Sequence, residues 1–379
     1  MPPIRILVVD DSLVIRKVVS EALKSDPAFE VVGTAGDGRM ALIRIPTFQP
    51  DLVILDVTMP VMGGLETLAV LKKDYPELRV IMFSTLTARS AAETIEALAL
   101  GASDYVTKPS DSRSLALTLE AIQKDLIPKI KVLCGLTRAA AAPPLPARPS
   151  PRTPSNRRIE IVAIGASTGG PNALAEVIPK LPGDFPVPVV IVQHMPAAFT
   201  GLLSERLARN AKISVAEGKM GTVLAPGQAW IAPGDFHMTV AAAVTAASGK
   251  NWRLGLNQNP PEHSCRPAVD VLFRSVAAVG HSHVLGVVMT GMGADGVSGA
   301  KEIRDAGGEV IVQDEASSVV WGMPGAVCAA GQADGVYPLS QLAAEITRRV
   351  THNRVMHAAA GGSTASKFES STKMESSTK

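Results

Sequence analysis

Short apolar runs alternate with amphipathic stretches along most of this chain. Runs at Ile4–Val9, Glu30–Thr34, Leu52–Leu55, Val80–Phe83 and Tyr105–Thr107 read as strands. Between them, stretches such as Leu13–Leu23 and Ala91–Leu100 place apolar residues three or four apart and read as helices. Pro46 lies inside the second helical pattern and predicts that this helix ends early or kinks. Five such repeats imply a parallel sheet with helices on both faces. The pattern stops at residues 139–158, where six prolines mark a semi-extended linker. It resumes with strand candidates at Ile159–Ile164, Val187–Gln193, Trp230–Ala232, Val284–Met289 and Val310–Val312, and with helices at Ala268–Val279 and Gly296–Asp305. Residues 352–379 end in a near-duplicated polar tract expected to be disordered. The expected division is a first domain over 1–125, a linker over 126–158 that is Pro/Ala-rich from 139, a second domain over 159–351, and the tail.

Composition narrows the function classes. Of 379 residues, 46% are hydrophobic, enough for two cores, and only 4% are aromatic, which argues against a base-stacking surface. The net charge is +2 with dispersed Lys and Arg, so neither a nucleic-acid footprint nor a polybasic membrane patch is expected. No apolar run approaches a membrane span of about 18 residues, and Met1-Pro-Pro-Ile-Arg enters a strand without a signal-peptide pattern. Cys134, Cys265 and Cys328 are scattered, which suggests a reducing cytoplasm and thiols serving as small apolar filler or unpaired surface groups.

Chemistry in the first half gathers at strand ends. Asp10 and Asp11 end the first strand, Asp56 the third, Ser84 the fourth and Lys108 the fifth. Ligands in open α/β sheets bind beyond the carboxyl ends of strands, so these residues are expected to converge. Three carboxylates held together repel unless a cation joins them, and hard oxygen donors suit Mg²⁺. Asp56 is placed to attack a phosphoryl donor, with Lys108 and the Ser84 hydroxyl binding its oxygens.

On these residues the first half resembles a response-regulator receiver domain. The resemblance implies a flavodoxin-like (βα)5 fold, phosphorylation at Asp56, Mg²⁺ bound by Asp10, Asp11 and Asp56, and a switch built on Ser84, Lys108 and the aromatic Tyr105. Gly63 stands where an Asp is common, outside the acid pocket.

The second half opens with Gly165-Ala-Ser-Thr-Gly169, a serine between glycines at a strand-to-helix turn. Such a turn exposes the hydroxyl and places free N–H groups of the next helix beside it. A nucleophilic Ser167 needs a base and a group that orients the base. His194 follows the strand ending at Gln193, and Asp295 follows the strand ending near Met289, so all three are expected on one sheet edge. Their order, Ser…His…Asp, differs from the Ser…Asp…His order of α/β-hydrolases. Asp235 and Asp270 compete with Asp295, and His237 is a second histidine expected to line a cleft. His281/His283 and His263/Cys265 lack a second ligand pair at zinc spacing. Met292, and Thr168 after the serine, offer backbone N–H groups to an oxyanion.

Five motifs in order carry a second resemblance: Gly165–Pro171, Gln193–Pro196, Ala232–Met238, Arg266–Phe273 and Thr290–Gly296. They resemble the catalytic domain of the chemotaxis protein-glutamate methylesterases. This implies a doubly wound, mostly parallel α/β fold with the triad Ser167, His194 and Asp295 and no cofactor in the esterase half. It also implies removal of methyl groups from glutamate γ-methyl esters on the cytoplasmic helices of chemoreceptors, with release of methanol, and deamidation of particular glutamines. A chemotaxis histidine kinase is the implied phosphodonor, and membrane contact runs only through receptors. The unphosphorylated receiver is expected to obstruct the catalytic edge. The rival class is a regulator whose second half only binds a partner.

Overall fold

The computed structural model describes residues 2–109, 115–136, 158–243 and 251–351. The tail, and all but the last residue of the proline-rich stretch, lie outside the described residues. The first domain alternates β1 (Ile4–Val9), α1 (Leu13–Lys24), β2 (Phe29–Ala35), α2 (Gly38–Phe48), β3 (Leu52–Asp56), α3 (Gly64–Asp74), β4 (Arg79–Ser84), α4 (Ala88–Ala99), β5 (Asp104–Thr107) and α5 (Leu115–Leu133). Its five strands pair in parallel in the order β2-β1-β3-β4-β5. Helices on both faces bury the central strands completely, which is why β3 reads as an unbroken apolar run. Helix starts follow their caps: Ser12, Asp37 and Thr87 side chains accept from the backbone of α1, α2 and α4. Pro46 sits in the last turn of α2, where it removes the bond to the carbonyl four residues back, and the helix ends two residues later.

One boundary differs from the expectation. The linker predicted from residue 126 begins instead as the second half of α5, which reaches Leu133. Leu126 and Ile130 are fully buried and Leu133 nearly so, all in the core formed with β1, β3 and α1. The helical period of apolar positions runs on past residue 125, and the composition changes only at 139.

The second domain runs β6 (Ile161–Ala166), α6 (Gly170–Val177), β7 (Val189–Gln193), α7 (Ala197–Asn210), β8 (Ser214–Glu217), β9 (Gln228–Ile231), β10 (His237–Ala243), β11 (Asn251–Asn257), α8 (Val269–Gly280), β12 (Val284–Val288), α9 (Val297–Asp305), β13 (Glu309–Gln313), α10 (Met323–Ala329) and β14 (Gly335–Tyr337), with a last helix over 339–351. Seven parallel strands lie in the order β14-β13-β12-β6-β7-β9-β8, and β10 and β11 form a separate antiparallel hairpin. The chain proceeds from β6 toward β7 on one side and later adds β12 on the other. The C-terminal end of β6 is therefore the topological switch point, where such sheets bind ligands.

The domains touch. α4 packs on α7 and α6. The Tyr105 ring lies 4.8 Å from the Phe199 ring, and one apolar cluster continues across the boundary. Arg206 of α7 donates to the Ile95 carbonyl at 3.4 Å and to Asn172 Oδ1 at 3.1 Å. No helix among the described residues is long and apolar enough to cross a membrane.

If the second half of α5 belongs to the first domain's core, Ile130→Ala should destabilise that domain by about 2–4 kcal/mol. Urea unfolding followed in the full chain measures this, and an unchanged first-domain transition would place the helix outside the core.

Candidate active site and acid pocket

The elbow forms because β6 ends at Ala166 and Gly169 takes a left-handed φ of 78° as N-cap of α6. A Cβ at Gly169 would lie 2.6 Å from Val319 Cβ, so space as well as backbone angle demands glycine here. Both flanking strands pin the turn. Ser167 N donates to Thr290 O at 3.0 Å, and Thr290 Oγ1 donates to Thr168 O at 2.9 Å, just beyond β12. Thr290 is itself fixed by Gln313, whose Oε1 accepts from Thr290 N at 2.9 Å.

His194 follows β7, and its Nε2 lies 2.8 Å from Asp295 Oδ2. Asp295 is buried in a set of donors. Val269 N and Asp270 N, the first two N–H groups of α8, donate to it at 2.6 and 2.8 Å. A helix N-terminus thus holds this carboxylate as an anion. Burial opposes its ionisation, but His194 and the two backbone donors outweigh burial and keep Asp295 below the usual carboxylate range. Burial likewise opposes a charge on His194. The hydrogen bond to Asp295, with a smaller contribution from Cys265, prevails and lifts the imidazole to about 9. With Nε2 engaged, Nδ1 is the nitrogen left for a serine proton. Here Nδ1 faces Cys265 Sγ at 3.5 Å, and the Ser167 hydroxyl makes no hydrogen bond among the described residues. Ser167, Thr168, His194, Cys265 and Met292 line one cleft of about 340 Å³.

The remaining candidates fall elsewhere. Asp270 pairs with the His263 ring at 2.9 Å and accepts from Gly299 N at 2.6 Å. Asp235 is exposed and pairs with Arg266. His237 does not line the cleft as expected: it is buried, its Nδ1 accepts from Ala268 N, and its Nε2 faces Pro260 O at 3.1 Å. His281 and His283 form a turn before β12, at the opposite end of the sheet. The backbone N–H groups of Thr168 and Met292 make no hydrogen bond among the described residues, so both are uncommitted beside Ser167. Cys265 is more than filler, since its sulfur lies against the His194 ring. Its spacing carried no signal, because the contact spans 71 residues.

Three acids and Lys108 gather at the strand ends of the first domain. Lys108 Nζ lies 2.7 Å from Asp10 Oδ2 and 2.8 Å from Asp56 Oδ2. Burial pushes the Asp56 carboxyl up to about 6 despite Lys108. Burial also works against Lys108's charge, yet its two carboxylate partners raise it. One carboxylate oxygen from each of Asp10, Asp11 and Asp56 lies within 4.8 Å of the others, a hard donor set that fits Mg²⁺. Ser84 faces α4 instead: its hydroxyl accepts from Thr94 Oγ1 at 2.8 Å and reaches Ser90 O at 3.3 Å. Tyr105 is buried against Phe199 and lines the cleft with Ser167. Lys129 fastens it, with Nζ 2.7 Å from Tyr105 O and 3.0 Å from Asp104 Oδ2.

Comparison with known proteins follows the same division. The family model for CheB methylesterase matches residues 162–346, and that for the response regulator receiver domain matches residues 6–120. A protein-glutamate methylesterase/protein-glutamine glutaminase of Trichodesmium erythraeum is 51% identical over 356 residues, 92% of this chain and all of that protein. One from a Nocardioides species is 48% identical, over 93% of this chain and 97% of its own length. The solved Thermotoga maritima CheB methylesterase catalytic domain is 38% identical over 51% of this chain and 99% of its own, with a TM-score of 0.48.

A base must be neutral to accept a proton, so a raised histidine pKa moves the onset of reactivity upward. Labelling of Ser167 by a fluorophosphonate probe should therefore rise with pH through a midpoint above the ordinary 6.5, toward 9. Asp295→Asn should move that midpoint down and slow the plateau. A midpoint indifferent to Asp295→Asn would separate this carboxylate from the base.

Proposed function

Because this chain belongs to the CheB methylesterase family and carries a response regulator receiver in front of the catalytic domain, we propose that it is a phosphorylation-controlled protein-glutamate methylesterase and protein-glutamine glutaminase acting through Ser167, His194 and Asp295. The observation that carries the site assignment is the 2.8 Å His194–Asp295 pair in the cleft that holds Ser167. Ser167 attacks the γ-carbonyl of a glutamate methyl ester, and His194 takes its proton. Asp295, anionic at the start of α8, fixes the imidazole and stabilises its cation. The Thr168 and Met292 N–H groups receive the charge that develops on the carbonyl oxygen. His194 then protonates the departing methoxide and activates water against the acyl-enzyme. A glutamine substrate follows the same route and loses ammonia.

The substrates are methylated glutamates on the cytoplasmic helices of chemoreceptors, and a chemotaxis histidine kinase supplies the phosphoryl group to Asp56 in the cytoplasm. Asp10, Asp11 and Asp56 would hold Mg²⁺, which when bound neutralises charge on the transferring phosphoryl group. Control follows from what Ser84 and Tyr105 touch. Ser84 is bonded to α4, and α4 and Tyr105 both press on α7 beside the cleft. A phosphoryl group on Asp56 competes for the Ser84 hydroxyl and Lys108. That competition loosens α4 and Tyr105 and uncovers Ser167.

Methanol release from methylated receptor membranes tests both parts. Ser167→Ala should lower release by roughly 10⁴-fold or more; near-normal turnover by that variant would overturn the nucleophile assignment. Asp56→Asn should keep basal release and lose activation by a small phosphodonor with Mg²⁺, and retained activation would move the phosphorylation site elsewhere.

A further inference from the structure

Gln193 is the last residue of β7 and sits directly before His194. It is 2% exposed, and its side-chain Nε2 donates to two carbonyls, Ser167 O at 2.9 Å and His194 O at 3.2 Å. Those carbonyls belong to the nucleophile and to the base. The reverse orientation of the amide would aim its oxygen at two acceptors, so both donations fix it. The fold makes room for this group: a Cβ at Gly170 would lie 2.0 Å from Gln193 Oε1. Oε1 itself is buried without a partner among the described residues. A buried acceptor left unpaired is destabilising, and folds retain such groups where placement matters more than stability.

The other anchors of the two residues are separate. Ser167 N is tied to Thr290 beyond β12, and the His194 ring is tied to Asp295 before α9. The β6–β7 ladder, with Ala166 opposite Gln193, and the bond from His194 N to Ala166 O at 3.1 Å join the two strand ends through the backbone, and the Gln193 amide adds a side-chain link between them. We propose that Gln193 is a positioning residue for the hydrolytic reaction, a side-chain staple that holds the backbones of Ser167 and His194 in register. The inference rests on the assignment of those two residues as nucleophile and base. Proton transfer between them tolerates little error, since a misplacement of about 1 Å costs about 100-fold in rate.

The test uses the full chain activated by a small phosphodonor and Mg²⁺, with Gln193→Met, which removes both donors at similar length, and the isosteric Gln193→Glu. Each folded variant should lose roughly 10- to 100-fold in kcat for methanol release, with KM within about twofold of the parent. Fluorophosphonate labelling of Ser167 should slow by a similar factor. In Gln193→Met, which adds no charge, the pH midpoint of labelling should stay in place, because the His194–Asp295 pair is untouched. Unchanged kcat, or a change in KM alone, in either folded variant would overturn the staple; if Gln193→Met fails to fold, Gln193→Glu decides. Ser167→Ala run in parallel separates the two claims. Turnover surviving in Ser167→Ala removes the nucleophile assignment, whereas turnover lost there but normal in the Gln193 variants removes only the staple.

Discussion

The catalytic edge depends on one buried charge, the Asp295 carboxylate. It accepts from the first two N–H groups of α8 and pairs with His194. A carboxylate taken out of water is stable only when its lone pairs are met by donors. Here the donors come from a helix that packs against β6 and from the histidine that follows β7. Satisfying that charge therefore brings α8, α9 and the ends of β6 and β7 together. The same carboxylate makes His194 a stronger base than a free imidazole. The elbow serine shares one cleft with His194 of this pair.

The first domain adds a second constraint from the opposite side. Its acid pocket stores like charges around Lys108, and the Ser84 hydroxyl is engaged with α4. α4 and Tyr105 are also the parts that meet α7, near the mouth of the cleft. A change of charge at Asp56 therefore acts on groups that already bridge the two domains. The contact is modest in polar terms, with Arg206 donating across it to the Ile95 carbonyl and the Tyr105–Phe199 pair as its apolar centre. An interface of that kind can be biased by a local charge without unfolding either core.

Much of this was legible in the sequence where the signal is local. The ten apolar runs read as strands all lie on observed strands, and glycines around Ser167 mark a turn whose φ only glycine adopts easily. The acids at the ends of β1 and β3 and the lysine after β5 also declared themselves, because strand ends in a parallel sheet share one edge. Short or half-exposed strands did not: β8 and β14 have three or four residues with mixed exposure, and the β10–β11 hairpin carries few large apolar side chains. The extent of α5 is not marked by composition, which changes only at 139; the helical period of apolar positions past residue 125 is the signal that carries it. Contacts between distant residues left no sequence signal at all. Cys265 at His194, Phe199 at Tyr105, and the Gln193 and Thr290 bonds to the elbow arise only when the strands assemble. His237 was misplaced for the same reason, since its position beside a turn did not reveal that its ring points into the interior.

The central claim is that the first domain covers an otherwise competent serine until Asp56 carries a phosphoryl group. The most direct measurement is the rate of fluorophosphonate labelling of Ser167 in the full chain, with and without a small phosphodonor and Mg²⁺. Labelling should be faster with the phosphodonor, with no acceleration in Asp56→Asn. Equal rates in the presence and absence of the phosphodonor, at full phosphorylation of Asp56, would contradict it.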